Sequence, residues 1–514
     1  MSGAAEEGEE PQMTMRRKPM ALQFGTSGIR GLVTEMTDRE CYLYTKAFVQ
    51  YLKEKTTPSR LALAGDHRSS TRRIMRSVAF TVREEGLGVD FCGNIATPAV
   101  MNYGIRNDMA SIMVTGSHIP EDRNGIKFNM PWGEVLKKDE TEISRRYMAL
   151  KEGEERKAKA GTSVFSRGGG IFKPGTADDL GEAIPTARNS YIRRFTAFYA
   201  PGCLRGRRVV FYQHSSVSRD VVPEILKQLG VDLILVGRSE TFVAVDTEAV
   251  ENPEMLRAWV REYSADALVS TDGDGDRPLV VDENGMVVRG DVLGILVADF
   301  LGADSVSAPV SCNTALERSG RFANVSRTRI GSPFVVEAMN EAVRAGYKTV
   351  VGYEANGGFL TASDITDPDR GVLLRALPTR DAALPIIAAL LASLKRGRQL
   401  SDLVRELPSR FTASGLLKGF PNELGKALVT RFQKAGRDFA NEVFSSSFGQ
   451  VESMDFTDGA RMTFPSHDIV HLRPSGNAPE FRCYTESSTE EKAIRNNQIV
   501  LGIVEALKDN TPIH

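Results

Sequence analysis

No CxxC pair occurs in the sequence, and its five cysteines (Cys41, Cys92, Cys203, Cys312, Cys483) are scattered and odd in number. That pattern fits reduced thiols in a cytoplasmic setting better than a disulfide framework or a zinc site. Charge of one sign is lacking too. The formal net charge is −1, so no global field attracts nucleic acid or an anionic membrane. An acidic ligand must be held by local positive groups. The most apolar long run, AALPIIAALLASL at 382–394, is too short to span a bilayer; it follows Arg380 and Asp381 and reads as a buried helix. Residues 1–20 are acidic and then basic without an apolar core, which predicts a disordered tail rather than a signal peptide. There is no GxxxxGK[ST] loop to suggest that a nucleotide is consumed.

What is present is a chain of 514 residues, 41% hydrophobic and 25% charged, the balance of a soluble protein with several domains. One pattern recurs at 60–93, 207–237 and 308–352: apolar strand, polar loop, amphipathic helix, glycine, second apolar strand. The third copy carries an insert before its helix. Such units imply an α/β class with three consecutive, similarly built domains whose mixed sheets are mostly parallel. The stretch 151–185 is rich in charge and glycine and reads as a linker or surface extension. After about residue 408 the pattern changes. A helix near 421–444 and short strands within 460–474 and 481–487 predict a smaller α+β C-terminal domain. The expected divisions are 21–188, 189–293, 294–408 and 409–514.

Four loops carry chemistry. MVTGSHIPEDRNGIKF (113–128) puts Ser117 at the mouth of an apolar strand, either as a nucleophile or as the cap of a following turn. In TDGDGDR (271–277), Asp272, Asp274 and Asp276 alternate with glycine, so a tight loop can turn three carboxylates onto one hard cation, Mg²⁺ or Ca²⁺. An EF-hand fails: Arg277 stands where that loop needs glycine, Pro278 follows, and the flanks read as strands rather than helices. GYEANGG (352–358) offers Glu354 and Asn356 at a strand's C-terminal end, a place suited to gripping sugar hydroxyls. RPSGNAP (473–479) supplies a guanidinium fork, a hydroxyl and exposed backbone through Arg473, Ser475, Gly476 and Asn477, a phosphate cradle. FGTSGIRG (24–31) could add Arg30 to an anion. His467 and His471 fall on alternating strand positions and read as structural. Each loop alone has a bland reading as a turn. Together they ask for a nucleophile, a cation, a hydroxyl grip and an anion clamp, which points to phosphoryl transfer on a phosphorylated sugar.

In order and spacing these loops resemble the four signature loops of the α-D-phosphohexomutase superfamily, over nearly the whole chain from about residue 21. The first and third are most similar to those of bacterial phosphomannomutases, including members that also act on glucose phosphates. The resemblance implies four domains around a central cleft and a phosphoryl group carried on Ser117. It implies Mg²⁺ bound by Asp272, Asp274, Asp276 and an oxygen on Ser117, with Arg277 facing the phosphoserine and Arg30 and Lys127 near the transferring group. Glu354 and Asn356 would hold sugar hydroxyls, and Arg473, Ser475, Gly476 and Asn477 the existing phosphate. A hexose 1,6-bisphosphate would be intermediate and activator, and the partner a small phosphosugar. Two positions depart from the pattern: many relatives have histidine where this chain has Gly358 and Ser332. His118 and Lys127 remain candidates for proton transfer. A serine-intermediate phosphatase and a non-catalytic sugar-phosphate-binding protein are the rival readings.

Overall fold

A computed structural model describes residues 22–25, 28–166, 168–170, 180–475 and 479–508. The expected tail, together with Gly476 and Asn477 of the phosphate-cradle loop, lies outside the described residues.

The first three sheets repeat one wiring. In the first, strand Arg60–Gly65 pairs in parallel with Gly88–Asn94 on one side and Ser111–Val114 on the other, and Arg123–Met130 adds antiparallel to Ser111–Val114. The second repeats this with Arg208–His214, Asp232–Arg238, Ala267–Thr271 and antiparallel Pro278–Val281. The third uses Ser305–Pro309, Asn324–Thr328, Val350–Tyr353 and antiparallel Phe359–Thr361. Each site loop of these three domains is thus the connection from the last parallel strand to its antiparallel neighbour. The β-branched, apolar parallel strands are buried on both faces, as a sheet covered by helices requires.

Two expectations are corrected by this wiring. Parallel strands do not predominate, because hairpin strands extend each sheet; the first sheet also gains antiparallel Gln23–Phe24, Ile29–Leu32 and Gly133–Glu134. The insert at the start of the third repeat is also no insert. It is the unit's own first helix and second strand, Ala315–Arg318 and Asn324–Thr328, so helix Ser332–Arg344 corresponds to Thr97–Arg106 and Pro253–Glu262. A four-residue helix is too short to show a period, which is why the sequence reads as an interruption. The stretch read as a linker differs as well. Helix Lys137–Lys159 runs well into it, and Phe165 and Leu180 are buried in the first domain's core. Charged residues on the helix's solvent face masked its periodicity.

One apolar cluster runs through all three domains, from Ala62 and Val100 through Tyr191 and Phe211 to Val306 and Ile387. Helix Ala383–Arg396, the apolar run noted in the sequence, lies inside it, and no helix among the described residues is long and apolar enough to cross a membrane. The C-terminal domain is different. Its antiparallel sheet, in the order Phe411–Lys418, Glu480–Ser487, Ile469–Pro474, Ala460–Thr463, Ser453–Asp455, packs on helices Asn422–Phe448 and Glu490–Lys508 around a separate core centred on Phe432, Phe444 and Phe481. It meets the rest through polar contacts: Arg289 Nη1 donates to Thr412 O, Arg329 Nε to Thr457 O, and the Ile330 and Thr314 amides to Asp458 and Glu486.

Candidate active site

The serine loop is built by its neighbours. Ser117 is fully buried and adopts a left-handed backbone, φ 56°, a conformation that costs a residue with a Cβ about 1–2 kcal/mol. Arg68 holds that turn, donating to the carbonyls of Ser117 (2.9 Å), Ile119, Pro120 and Arg123 while its Nε pairs with Asp66. Its guanidinium also lies 3.9 Å over the Phe242 ring of the second domain. Asp66 in turn accepts from the Thr115 hydroxyl and the Gly116 amide. No helix follows Ser117, and its Oγ caps nothing: it donates to Asp272 Oδ2 at 2.5 Å, across the domain boundary, with His118 Nδ1 3.4 Å away.

Asp272, Asp274 and Asp276 are fully buried, with oxygens from all three within 4.8 Å of one another. Gly273 permits the approach, since a Cβ there would lie 2.7 Å from the Ser117 carbonyl. Crowding shows in the electrostatics. Burial and the charges of Asp274 and Asp276 push Asp272 well above the usual carboxylate range. Burial acts the same way on Asp274 and Asp276, but it is outweighed by Lys127 and Thr97 at the first and by Arg380, Lys127 and Arg277 at the second, so both are lowered. Lys127 Nζ bridges them at 2.6 and 2.8 Å, and Thr97, at the start of helix Thr97–Arg106, donates its hydroxyl to Asp274 at 2.6 Å. Asp274 Oδ1 and Asp276 Oδ1 are buried and accept no hydrogen bond among the described residues, although Arg277 Nε stands 3.7 Å from the latter. Two carboxylate oxygens left without a protein donor, in a trio whose oxygens come within 4.8 Å of one another, suit a divalent cation. The residues present fit one.

Positive charge surrounds this centre. Burial and repulsion from Arg277 and Arg380 bring Arg30 down to about 10. Burial, Arg277 and Arg30 bring His118 down to about 2, so its imidazole is neutral. Asp274 and Asp276 overcome burial to raise Lys127, which stays an ammonium.

Glu354 and Asn356 are buried in the turn after Val350–Tyr353, where Asn356 Oδ1 accepts from the Gly358 amide. Arg380, on strand Leu377–Asp381, donates to Glu354 Oε2 at 2.8 Å and to Asp276 Oδ2 from Nε and Nη2 at 3.1 and 2.9 Å. The two departures noted in the sequence have structural partners. A Cβ at Gly358 would lie 2.5 Å from Arg380 Cδ, and Ser332 Oγ donates at 2.6 Å to Glu134 of the first domain, which also accepts from Thr379. Arg473 pairs with Asp458 at 3.0 Å, the same carboxylate that accepts from the Ile330 amide, and the Ser475 amide donates to the Glu480 carbonyl. His471 bonds the Asp458 carbonyl and stacks on Tyr484, a structural role. Sequence reading missed Arg68, Thr97, Glu134 and Arg380. Of these only Arg68 left a trace, a polar cluster (GDHRSST) at the end of the first repeat's strand.

Fold and site together define an isomerase that moves a phosphoryl group on a phosphorylated sugar. Models of the phosphoglucomutase/phosphomannomutase α/β/α domains I, II and III match residues 21–154, 189–285 and 289–411. The chain is 38% identical to a phosphomannomutase of Salmonella muenchen over 487 residues, 94% of this chain and 96% of that one. It is 41% identical over 479 residues to a phosphomannomutase of Sinorhizobium fredii, 92% and 97% of the two chains. A phosphoglucosamine mutase of Brucella anthropi is 28% identical over 433 residues, 82% and 88% of the two. Two solved structures share the fold over 96% of each chain at 14% identity: Paramecium parafusin, a phosphoglucomutase in open form (TM-score 0.67), and Aspergillus fumigatus N-acetylphosphoglucosamine mutase in complex with GlcNAc-6P and magnesium (TM-score 0.59). The chain belongs to the phosphoglucomutase/phosphomannomutase family of phosphohexomutases.

Proposed function

We propose that this phosphohexomutase interconverts mannose 1-phosphate and mannose 6-phosphate through a phosphoryl group on Ser117 and a mannose 1,6-bisphosphate. The observation that carries the reading is Ser117 Oγ, fully buried and 2.5 Å from Asp272 of another domain. The two relatives at 38% and 41% identity, both phosphomannomutases, support mannose over glucose or glucosamine. Asp272, Asp274 and Asp276, with an oxygen on phosphorylated Ser117, would hold Mg²⁺. When bound, Mg²⁺ would neutralise charge on the transferring group.

The chain's own residues do the rest. Arg30, Lys127 and Arg277 stabilise negative charge that spreads over the moving phosphoryl group. Glu354 and the Asn356 amide orient the hydroxyls, while Arg473, Ser475, Gly476 and Asn477 hold the phosphate that does not react. The P–Oγ bond at Ser117 breaks as a bond to the sugar oxygen forms, and the sugar hydroxyl loses its proton. Lys127, fixed as a cation between two carboxylates, is a charge stabiliser; His118, its Nδ1 3.4 Å from Ser117 Oγ, is the candidate acceptor, because the negative charge of a phosphoryl group on Ser117 would raise an imidazole that burial and the neighbouring arginines otherwise hold down. The bisphosphate then turns and returns its other phosphoryl group to Ser117. A mutase must keep bulk water from that intermediate until it has turned, whereas a phosphatase must admit it. The free thiols fit a cytoplasmic enzyme.

A coupled assay with Mg²⁺ and catalytic mannose 1,6-bisphosphate tests this, alongside intact mass for one labile phosphoryl group. Ser117→Ala and Ser117→Gly, the second at ease with the left-handed backbone, should lose nearly all turnover. Inorganic phosphate release without isomerisation would make the protein a phosphatase, and binding without either reaction a sugar-phosphate receptor. Equal kcat/KM on glucose 1-phosphate would widen the specificity.

A further inference from the structure

We propose that Arg380 is a positioning residue of the reaction, a brace that fixes the sugar-holding carboxylate of Glu354 relative to Asp276 of the cation-binding loop. The inference rests on the phosphohexomutase reading of this site. Glu354 and Asp276 belong to hairpin loops of different domains, and nothing in either loop alone fixes their separation. The Arg380 guanidinium reaches both: Nη1 on Glu354 Oε2 at 2.8 Å, Nε and Nη2 on Asp276 Oδ2 at 3.1 and 2.9 Å. A planar, permanently charged fork holds two carboxylates at a set distance, which a flexible ammonium does not. The side chain is almost wholly buried, and the Glu134 carboxylate adds a third attraction to its charge.

Gly358 belongs to the same device. A Cβ there would stand 2.5, 2.6 and 2.9 Å from Cδ, Cγ and Cβ of Arg380. These are stem atoms, and the stem cannot swing aside while its far end is tied to two carboxylates. Any side chain at 358 would therefore displace the arginine. Glycine at the end of the sugar loop and arginine on the neighbouring strand thus form one coupled pair. In this chain the space that a 358 side chain would fill is taken by the stem of Arg380. Asp276 gains as well: with Oδ2 occupied by Lys127 and Arg380, Oδ1 is the oxygen left for a cation.

A double-mutant cycle tests the brace. Equilibrium binding of mannose 6-phosphate by calorimetry, with kcat and KM, is measured for Arg380→Met, Glu354→Ala and the pair, each with Mg²⁺. Arg380→Met should raise Kd and KM by about 10- to 100-fold, the range of a lost charge-assisted hydrogen bond. Arg380→Lys should recover only part. The double variant should bind no worse than Glu354→Ala alone, because Arg380 acts through Glu354. Gly358→Ala should reproduce the sugar-binding defect of Arg380→Met, and it carries the test if Arg380→Met fails to fold. Losses that multiply in the double variant overturn the proposal. So does a defect confined to Mg²⁺ affinity, or wild-type sugar binding by Gly358→Ala. A wild-type protein that binds mannose phosphate without isomerising it would instead sink the mutase reading, while the cycle would still report on the brace.

Discussion

Lys127→Met isolates how the aspartate trio is neutralised. Lys127 is 5% exposed and its ammonium is shared by Asp274 and Asp276, while Asp272 already resists ionisation through burial and those two charges. Methionine keeps the apolar stem and removes the charge. Stripping one partner from a buried ion pair costs about 3–5 kcal/mol. The cost should not double for two pairs, because Asp276 keeps Arg380 and Asp274 keeps the Thr97 hydroxyl. A divalent cation bound only by the folded protein returns stability as RT ln(1 + [L]/Kd), about 2.7 kcal/mol at a hundredfold excess over Kd. In the variant it also neutralises the charge the lysine left behind, so the gain from Mg²⁺ should exceed that of the wild type. The assay is urea unfolding in chelator and in Mg²⁺. The apolar cluster is continuous through the first three domains, so their shared transition reports the site. A penalty below about 1 kcal/mol in chelator, or one that Mg²⁺ leaves unchanged, would refute the argument that lysine and metal neutralise the same carboxylates.

Arg68→Met should lower kcat by about two orders of magnitude with folding intact, since it frees the serine loop by an ångström or so, and Arg68→Lys should not rescue it; steady-state kinetics with circular dichroism decide, and an unchanged kcat counts against the loop argument. Arg473→Ala should weaken the 1-phosphate and the 6-phosphate by similar factors, about 10- to 100-fold; loss restricted to one of them would show that the cradle is not shared. Burial lowers both His214 and His471 to about 4, so their contribution to stability is present above about 6.5 and lost as pH falls toward 4. Thermal midpoints should fall across that window and fall less in His214→Gln; parallel profiles would remove His214 as a cause.

Much of the site was legible because its chemistry is packed into contiguous loops. Ser117 between two apolar strands, three aspartates in strict alternation and an acid in a glycine-bounded turn are local patterns, and the sheet wiring places all three on equivalent hairpins. What stayed hidden acts at long range. Arg380 reaches Asp276 across 104 residues and Ser332 reaches Glu134 across 198, and nothing in a strand's period announces such partners. At Gly358 and Ser332 the resemblance implies a departure from many relatives, but what those positions accommodate is visible only in three dimensions. The fold's repeat is visible in the sequence, yet its third copy looks interrupted because one of its helices spans a single turn.

The separation of cores sets how each part of the molecule responds to temperature. The heat-capacity change of any opening follows the apolar area it uncovers. Parting the first three domains would tear one continuous apolar cluster, with a large heat-capacity change and a strongly curved temperature dependence. The C-terminal domain has its own core and joins the rest through Arg289, Thr314, Arg329 and Asp458. Its swing away from the third domain would trade hydrogen bonds for water and expose little oil, so the temperature dependence of that equilibrium should show little curvature.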